Sequence, residues 1–350
     1  MPFRIFSYSL VLLLSAVAGP TVNSQTNPQR SPPPEDEVIR VTTALVTVPV
    51  AVKDRKGKTR FDLRQQDFHI YEDGVEQQIA YFDGPQRANE ASRPASPGLQ
   101  RPLTVAVLLD VSDSNELKLQ AIKDSAIAFV DKLSPDDRVV VMAFDKDVRV
   151  IAGPDDNRET MRRAIQKLRT GRGTSVYDAV DSITTWLGRI SGRKAIVLLT
   201  DGVDTASKKG SYLGTVAAAE HLDATVYPIQ FNTYADFADN PTRQTDTFGG
   251  GGTAHMTRTG ELASEAYKRA TLYLRQLAEK TGGRFEYSDS VKSLARSFER
   301  VAEQVRDQYT LGYYPKDRAK VGRRQLAVRV EVPGVSAKTR KSYVLKPSSR

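Results

Sequence analysis

The spacing of apolar residues changes several times along the chain, and each change marks a different element. Val46, Val48, Val50 and Val52 alternate with Leu45, Thr47, Pro49 and Ala51, a period of two that predicts a strand. Pro49 has no N–H to give to a ladder, which places that strand at an edge or a bulge. Two further runs, 68–71 and 78–82, flank Glu72-Asp73-Gly74, and Asp-Gly between strands is a hairpin turn. Residues 38–85 therefore read as a small all-β module.

Beyond a linker at 86–101, with Ser, Pro, Gly and Asn, strands alternate with helices. The run 103–109 is apolar throughout, as a strand buried on both faces must be. A helix is predicted over 115–133, with Ile122, Ala126, Phe129, Val130 and Leu133 on one side. Further strands are predicted at 138–144, 148–152 (an edge hairpin), 195–199, 224–231 and 284–287. Further helices are predicted at 157–168 and 211–222. Val176, Val180, Ile183, Leu187 and Ile190 stripe a helix after Thr174, and Ala270, Leu274, Leu277 and Ala278 stripe another ending in Thr281-Gly282-Gly283. Val291, Leu294, Phe298, Val301 and Val305 mark a closing helix. Pro228 fits its strand only as a bulge or an early end.

Segments 308–314, 325–332 and 342–345 return to the strand pattern. The fold class that follows is α/β, a doubly wound and mainly parallel sheet over 102–307 with small all-β segments flanking it at 38–85 and 308–346. The two flanking segments are expected to pair into one accessory sheet. Only 232–261 shows neither period. It carries four consecutive glycines at 249–252 and reads as an irregular, mobile insert of the main domain.

Composition adds a compartment. The first 24 residues have the layout of an export signal, with Arg4, a short apolar stretch at 8–19, and Val22-Asn23-Ser24 before Gln25. The stretch is too short to span a bilayer, so cleavage and a periplasmic or extracellular location are expected, with a Pro-rich spacer at 25–37. No cysteine is present, which excludes a disulfide framework. Lys and Arg number 51 against 42 Asp and Glu, a net charge of +9. Lys316, Arg318, Lys320, Arg323, Arg324, Lys338, Arg340 and Lys341 gather near the end and read as a solvated charged ribbon, or as a patch for an anionic envelope surface. Neither a groove-entering motif nor an aromatic platform accompanies them, so no nucleic-acid partner is expected.

The candidate chemistry stands where apolar strands stop. The run 103–109 ends in Asp110-Val111-Ser112-Asp113-Ser114, and oxygen side chains at every second residue can aim at one point. Thr174 lies in Gly171-Arg172-Gly173-Thr174 at the opening of a helix, and Asp201 ends another apolar strand in Thr200-Asp201-Gly202. In doubly wound sheets ligands sit outside the carboxyl ends of the strands, which is where both aspartates fall. Hard cations such as Mg2+ want oxygen ligands in near-octahedral array at about 2.0–2.1 Å. Two carboxylates balance such an ion, and hydroxyls complete the set without over-neutralising it.

This arrangement resembles the metal-ion-dependent adhesion site of von Willebrand factor type A domains, whose pattern is Asp-x-Ser-x-Ser, then a Thr, then an Asp. Asp110, Ser112, Ser114, Thr174 and Asp201 match it without a gap. Softer marks, Asp67-Phe68-x-x-x-Glu72-Asp73-Gly74 and Tyr309-x-Leu311-Gly312-Tyr313, resemble a group of secreted bacterial proteins related to that family. The resemblance implies a non-enzymatic adhesion or protein-interaction module. In it Ser112, Ser114 and Thr174 hold Mg2+ (or Mn2+ or Ca2+), Asp110 and Asp201 act directly or through water, and an Asp or Glu of a protein partner completes the shell. Two other readings use the same site, a Mg2+-assisted hydrolase and an envelope-assembly scaffold whose site is vestigial.

Other chemistry finds little support. His69, His221 and His255 stand in unrelated contexts and form no HExxH pair, and no G-x-S-x-G elbow occurs. His69 reads as a solvated strand position and Trp186 as partly buried packing. The aspartyl-phosphatase motif needs carboxylates two residues apart, and Ser112 occupies the second position. The glycines at 249–252 are followed by no Lys-Ser or Lys-Thr, so they do not make a phosphate loop.

Overall fold

The computed structural model describes residues 45–85, 103–190, 192–221, 224–233, 261–317 and 320–345. The expected export segment, the Pro-rich spacer, the 86–101 linker and the body of the insert at 234–260 lie outside the described residues. Four strands come first: β1 (Val46–Asp54), β2 (Phe68–Glu72), β3 (Val75–Gln77) and β4 (Ile79–Asp83). Asp73 and Gly74, with φ of 48° and 83°, make the tight turn between β2 and β3.

The main domain is a six-stranded sheet with helices on both faces. Its strands are β5 (Leu103–Asp110), β6 (Arg138–Phe144), β7 (Val148–Ala152), β8 (Arg193–Thr200), β9 (Thr225–Phe231) and β10 (Glu286–Ser288), in the order β10-β9-β8-β5-β6-β7. All neighbours are parallel except the β6–β7 hairpin at the edge. The helices are α1 (Leu119–Lys132), α2 (Arg158–Gln166), α3 (Val176–Leu187), α4 (Tyr212–Glu220), α5 (Ala263–Thr281) and α6 (Val291–Arg306). Asn157, Ser211 and Ser290 start α2, α4 and α6 by accepting an N–H from Thr160, Gly214 and Ser293. Gly282, at φ 78°, stops α5 in the left-handed conformation.

Strand β5 shows why the sheet is central. Val105, Val107 and Leu109 pack into one apolar layer with Phe129 of α1 and Phe298 of α6, whose rings lie 5.9 Å apart. Ala106 and Leu108 point the other way, against Val180 and Ile183 of α3 and Leu274 of α5. Burial of each large apolar side chain here contributes about 1.5–3 kcal/mol. Trp186 is half-buried against this second layer.

Several boundaries differ from those the pattern predicts, for local reasons. The helix expected from residue 115 begins at Leu119, because Asp113–Lys118 is wound into a 3-10 turn. The Asn115 N–H donates to Ser112 O at 2.9 Å there, a tighter bond that short polar side chains favour over the α-helical one. Val291 is 53% exposed and faces outward from the first turn of α6. Pro228 lies inside β9 in register with Leu198, without a bulge. The Val226 N–H, two residues earlier, points away from β8 to Thr281 Oγ1, and β10 joins only from Ile229 onward. By the period of two, Pro228 therefore presents its missing N–H on a side where no ladder partner waits.

The flanking β segments pair with each other in two sheets, where a single sheet was expected. With β11 (Tyr309–Tyr313), β12 (Gly322–Val330), β13 (Val335–Lys338) and β14 (Ser342–Leu345), the orders are β13-β1-β11-β4 and β14-β12-β2-β3. The reason is the alternation in β1. Val46, Val48, Val50 and Val52 all face one way, and such a face is buried only against a second sheet that brings Phe68, Ile70, Leu326 and Tyr343. Pro49 pairs with Thr310 of β11 while β13 begins opposite Ala51, so β1 is locally an edge at the proline.

Among the carboxyl-terminal cations Arg324 and Arg340 are buried, unlike residues of a solvated ribbon. Arg324 is fully buried and pairs with Glu72, whose other oxygen accepts from Tyr313 and Tyr343 hydroxyls at 2.6 and 2.5 Å. Arg340 donates to Thr47 O at 2.7 Å, Arg323 binds Glu220 of α4, and Lys320 binds Asp73. Packing has drawn Arg324 and Arg340 inward, whereas Arg323 and Lys320 make their pairs while their own side chains stay exposed.

Candidate metal centre

The chain leaves β5 to form β6 on one side, then returns to lay β8 on the other. The carboxyl ends of β5 and β8 therefore flank a topological switch point, where the crossover loops part and leave a crevice. Asp110 ends β5, and Asp201 follows directly on β8.

Asp110, Ser112 and Ser114 converge as the spacing implies. Ser112 donates both its N–H, at 3.0 Å, and its hydroxyl, at 2.5 Å, to Asp110 Oδ1. The Ser112 and Ser114 hydroxyl oxygens lie 2.9 Å apart. Asp201 Oδ1 accepts the Val203 N–H at 3.0 Å, and Ser114 also bonds this carboxylate. Four of the five predicted side chains thus form one connected cluster.

Thr174 is brought alongside by its backbone. The Gly171 N–H donates to Val111 O at 2.9 Å, which joins the 171–174 loop to the strand end that bears Ser112. Thr174 O accepts the N–H groups of Thr205 and Ala206, at 2.8 and 2.9 Å, which joins the same loop to the one that follows Asp201. The Thr174 hydroxyl itself bonds to none of the other four side chains among the described residues. Gly171 has to be glycine here, since a Cβ would stand 2.0 Å from Asp145 Oδ2. Asp145 is fixed in turn by two bonds from the Arg149 guanidinium, at 3.0 and 2.9 Å.

Three further residues hold the carboxylates and were not identified in the sequence. Thr200 donates its hydroxyl to Asp110 Oδ2 at 2.6 Å. Thr233 and Tyr267 donate to Asp201 Oδ2 at 2.9 and 3.3 Å. Thr200 had a signal of sorts, since it abuts Asp201 at a strand end. Thr233 stands at the start of the 232–261 insert and Tyr267 just beyond it, where no local pattern points to them.

Among the described residues the two carboxyl groups are buried together with no counter-cation. Asp110 and Asp201 are 0% and 2% exposed, and among the described residues no Lys or Arg pairs with either. Burial, and then the Asp201 charge, push the Asp110 carboxyl up to about 7. Burial also raises Asp201, against the hydrogen bonds it accepts from Val203 and Thr233. The Tyr267 phenol is driven well above its usual value by burial and by Asp201.

The donor set suits a hard divalent cation. Each hydroxyl that gives its hydrogen to a carboxylate keeps lone pairs for a metal, and two buried carboxylates offset a charge of +2. Among the described residues no three His, Cys, Asp or Glu side chains converge, so the hydroxyls of Ser112, Ser114 and Thr174 are indispensable to such a site.

Known proteins resemble this part of the chain. Residues 105–203 match the family model described as von Willebrand factor type A domain. A UPF0353 protein of Mycolicibacterium gilvum is 24% identical over 222 residues, which is 57% of this chain and 60% of that one. The chain spans about half the length of other curated relatives it matches, among them a Mycobacterium tuberculosis UPF0353 protein at 48%. Among solved structures, a von Willebrand factor type A protein from Catenulispora acidiphila aligns with a TM-score of 0.45 and 11% identity, covering 88% of this chain and 76% of that one. Residues 105–203, the segment that holds all five predicted side chains, are thus similar to the von Willebrand factor type A domain.

Proposed function

We propose that this protein is a metal-dependent interaction module that binds a carboxylate of a protein partner through a divalent cation. One observation carries the reading: two buried aspartates at a switch point, bonded to the Ser112 and Ser114 hydroxyls of one turn, with the Thr174 loop alongside and no Lys or Arg paired to either among the described residues. Ser112, Ser114 and Thr174 would hold the ion, with Asp110 and Asp201 acting directly or through water. Bound there, Mg2+, Mn2+ or Ca2+ supplies a Lewis-acidic position that an Asp or Glu side chain completes. Thr200, Thr233 and Tyr267 keep the two carboxylates aimed. The family match supports an interaction role over catalysis.

The layout of Arg4, 8–19 and Val22-Asn23-Ser24 supports an exported location for this module. No helix among the described residues is long and apolar enough to cross a membrane.

Calorimetric titration with Mg2+, Mn2+ and Ca2+ tests the metal, and capture from envelope fractions with and without chelator tests the partner. Saturable one-site binding that Asp110→Asn with Asp201→Asn abolishes, together with a chelator-sensitive partner, is the expected result. No heat and no thermal shift with any of the three ions would overturn the reading.

A further inference from the structure

Beside the metal centre a groove of 960 Å3 runs between the start of α1 and the segment after α2, lined by Glu116, Leu119, Lys123, Lys167, Arg169 and Thr170 among others. It adjoins the site through two links already described. Glu116 belongs to the turn that follows Ser114, and Thr170 precedes Gly171, whose N–H is bound to Val111 O.

The charge of this flank is mainly positive, with Glu116 as the one carboxylate among the lining residues. Lys167 and Arg169 line the groove, and Arg172 and Lys146 continue the row, with the Lys146 N–H donating to Arg172 O at 3.2 Å. All four are exposed, and none forms an ion pair with a described residue. Lys123 is only 8% exposed, and its Nζ donates to Gln166 O at 3.0 Å at the groove wall. Of the carboxyl-terminal cations, by contrast, Arg324, Lys320 and Arg323 are engaged by Glu72, Asp73 and Glu220. An excess of cations along a concave surface raises the local concentration of an anionic ligand and orients it.

We propose that this groove receives an acidic stretch of the partner polypeptide, laid along Lys167, Arg169 and Arg172 while one of its carboxylates reaches the metal. This rests on the metal-dependent reading above and adds to it the chemistry of the partner. A peptide is favoured over a nucleic acid because the groove offers no aromatic face for a base to stack on, whereas Leu119 and Leu168 offer apolar contact to side chains. Arginine also pairs carboxylates through two parallel hydrogen bonds, which suits Arg169 and Arg172 to Asp and Glu.

The test uses the full chain and two labelled peptides of equal length, one with a single Asp among Ser and Gly, the other with that Asp flanked by several Glu. Binding of each is measured with Mg2+ and with chelator, and the Mg2+-induced thermal shift is recorded in parallel. The acidic peptide should bind in Mg2+ more tightly than the single-Asp peptide. In Lys167→Glu with Arg169→Glu that advantage should fall by on the order of tenfold. The thermal shift should stay unchanged, because neither residue touches the metal centre. Equal affinity of the two peptides would overturn the groove proposal and leave the metal reading standing. Displacement of the acidic peptide by a single-stranded oligonucleotide of equal charge, at equal concentration, would overturn the choice of a peptide. Absence of a thermal shift in the unsubstituted protein would remove the metal reading and the groove proposal with it.

Discussion

Thr200 and Asp110 sit at the ends of adjacent strands, and the hydroxyl of the first donates to Oδ2 of the second at 2.6 Å. The Thr200 oxygen also accepts the Gly202 N–H at 2.9 Å, so one side chain ties the β5 carboxylate to the loop that carries Asp201. Replacing Thr200 by Val keeps the shape and removes the donor. A buried acceptor left without its donor costs about 1–3 kcal/mol. Urea denaturation of Thr200→Val should show a loss of that size in chelator and a smaller one in Mg2+, since a bound cation would engage the same carboxylate. Equal losses in the two conditions would separate Asp110 from the metal.

Tyr267 and Thr233 hold Asp201 from behind. Partners of this kind orient a metal-binding carboxylate, and their removal typically lowers metal affinity about 10–100-fold. Tyr267→Phe and Thr233→Val should each weaken Mg2+ binding within that range in a calorimetric titration, with the far-UV spectrum unchanged. Unaltered affinity in both variants would show that Asp201 is positioned by Val203 and Ser114 alone.

Arg324 and Glu72 test the accessory sandwich in the same spirit. The guanidinium and carboxylate are both buried, and Tyr313 and Tyr343 complete the cluster. Breaking a buried pair from one side costs about 3–5 kcal/mol, because the remaining charge has no solvent to turn to. Arg324→Met should therefore destabilise the chain by about that much, and Arg324→Met with Glu72→Leu by clearly less. Equal losses in single and double variants, measured by denaturant unfolding, would show that packing alone sets stability there.

Glu220 joins the two parts of the fold and should make that junction sensitive to acid. It accepts from Arg323 of β12 at 2.6 and 2.5 Å and from Lys280 of α5. Burial works to raise its carboxyl, but the hydrogen bonds from Arg323 and Lys280 outweigh it and hold the group below its ordinary 4.5. A lowered folded-state value means that the unfolded chain binds more protons. The contribution is thus fully present above about 4.5 and is lost as the pH falls below it. Glu220→Gln should lower the melting temperature at neutral pH and change it little near pH 3. The same decrease at both pH values would mean that the charge is irrelevant to the brace.

Consecutive residues determined a good deal. The apolar run that became β5, the alternation in β1, and the stripes on α3 and α5 were legible because burial repeats with the period of the element. Asp110, Ser112 and Ser114 were legible for a related reason, since every second side chain along an extended turn leans the same way. Asp201 followed from its place at the end of a second buried strand. Tertiary structure alone decided who faces whom. The face of β1 closed against a second sheet, Arg324 was drawn from an apparent surface ribbon into a buried pair with Glu72, and Thr233 and Tyr267 came to Asp201 from the start of a long insert and from just beyond it. A buried polar group must find a partner wherever packing delivers one, and packing joins residues far apart in the chain. Periodicity records only that a position is buried, and so it carries no trace of which distant side chain will satisfy it.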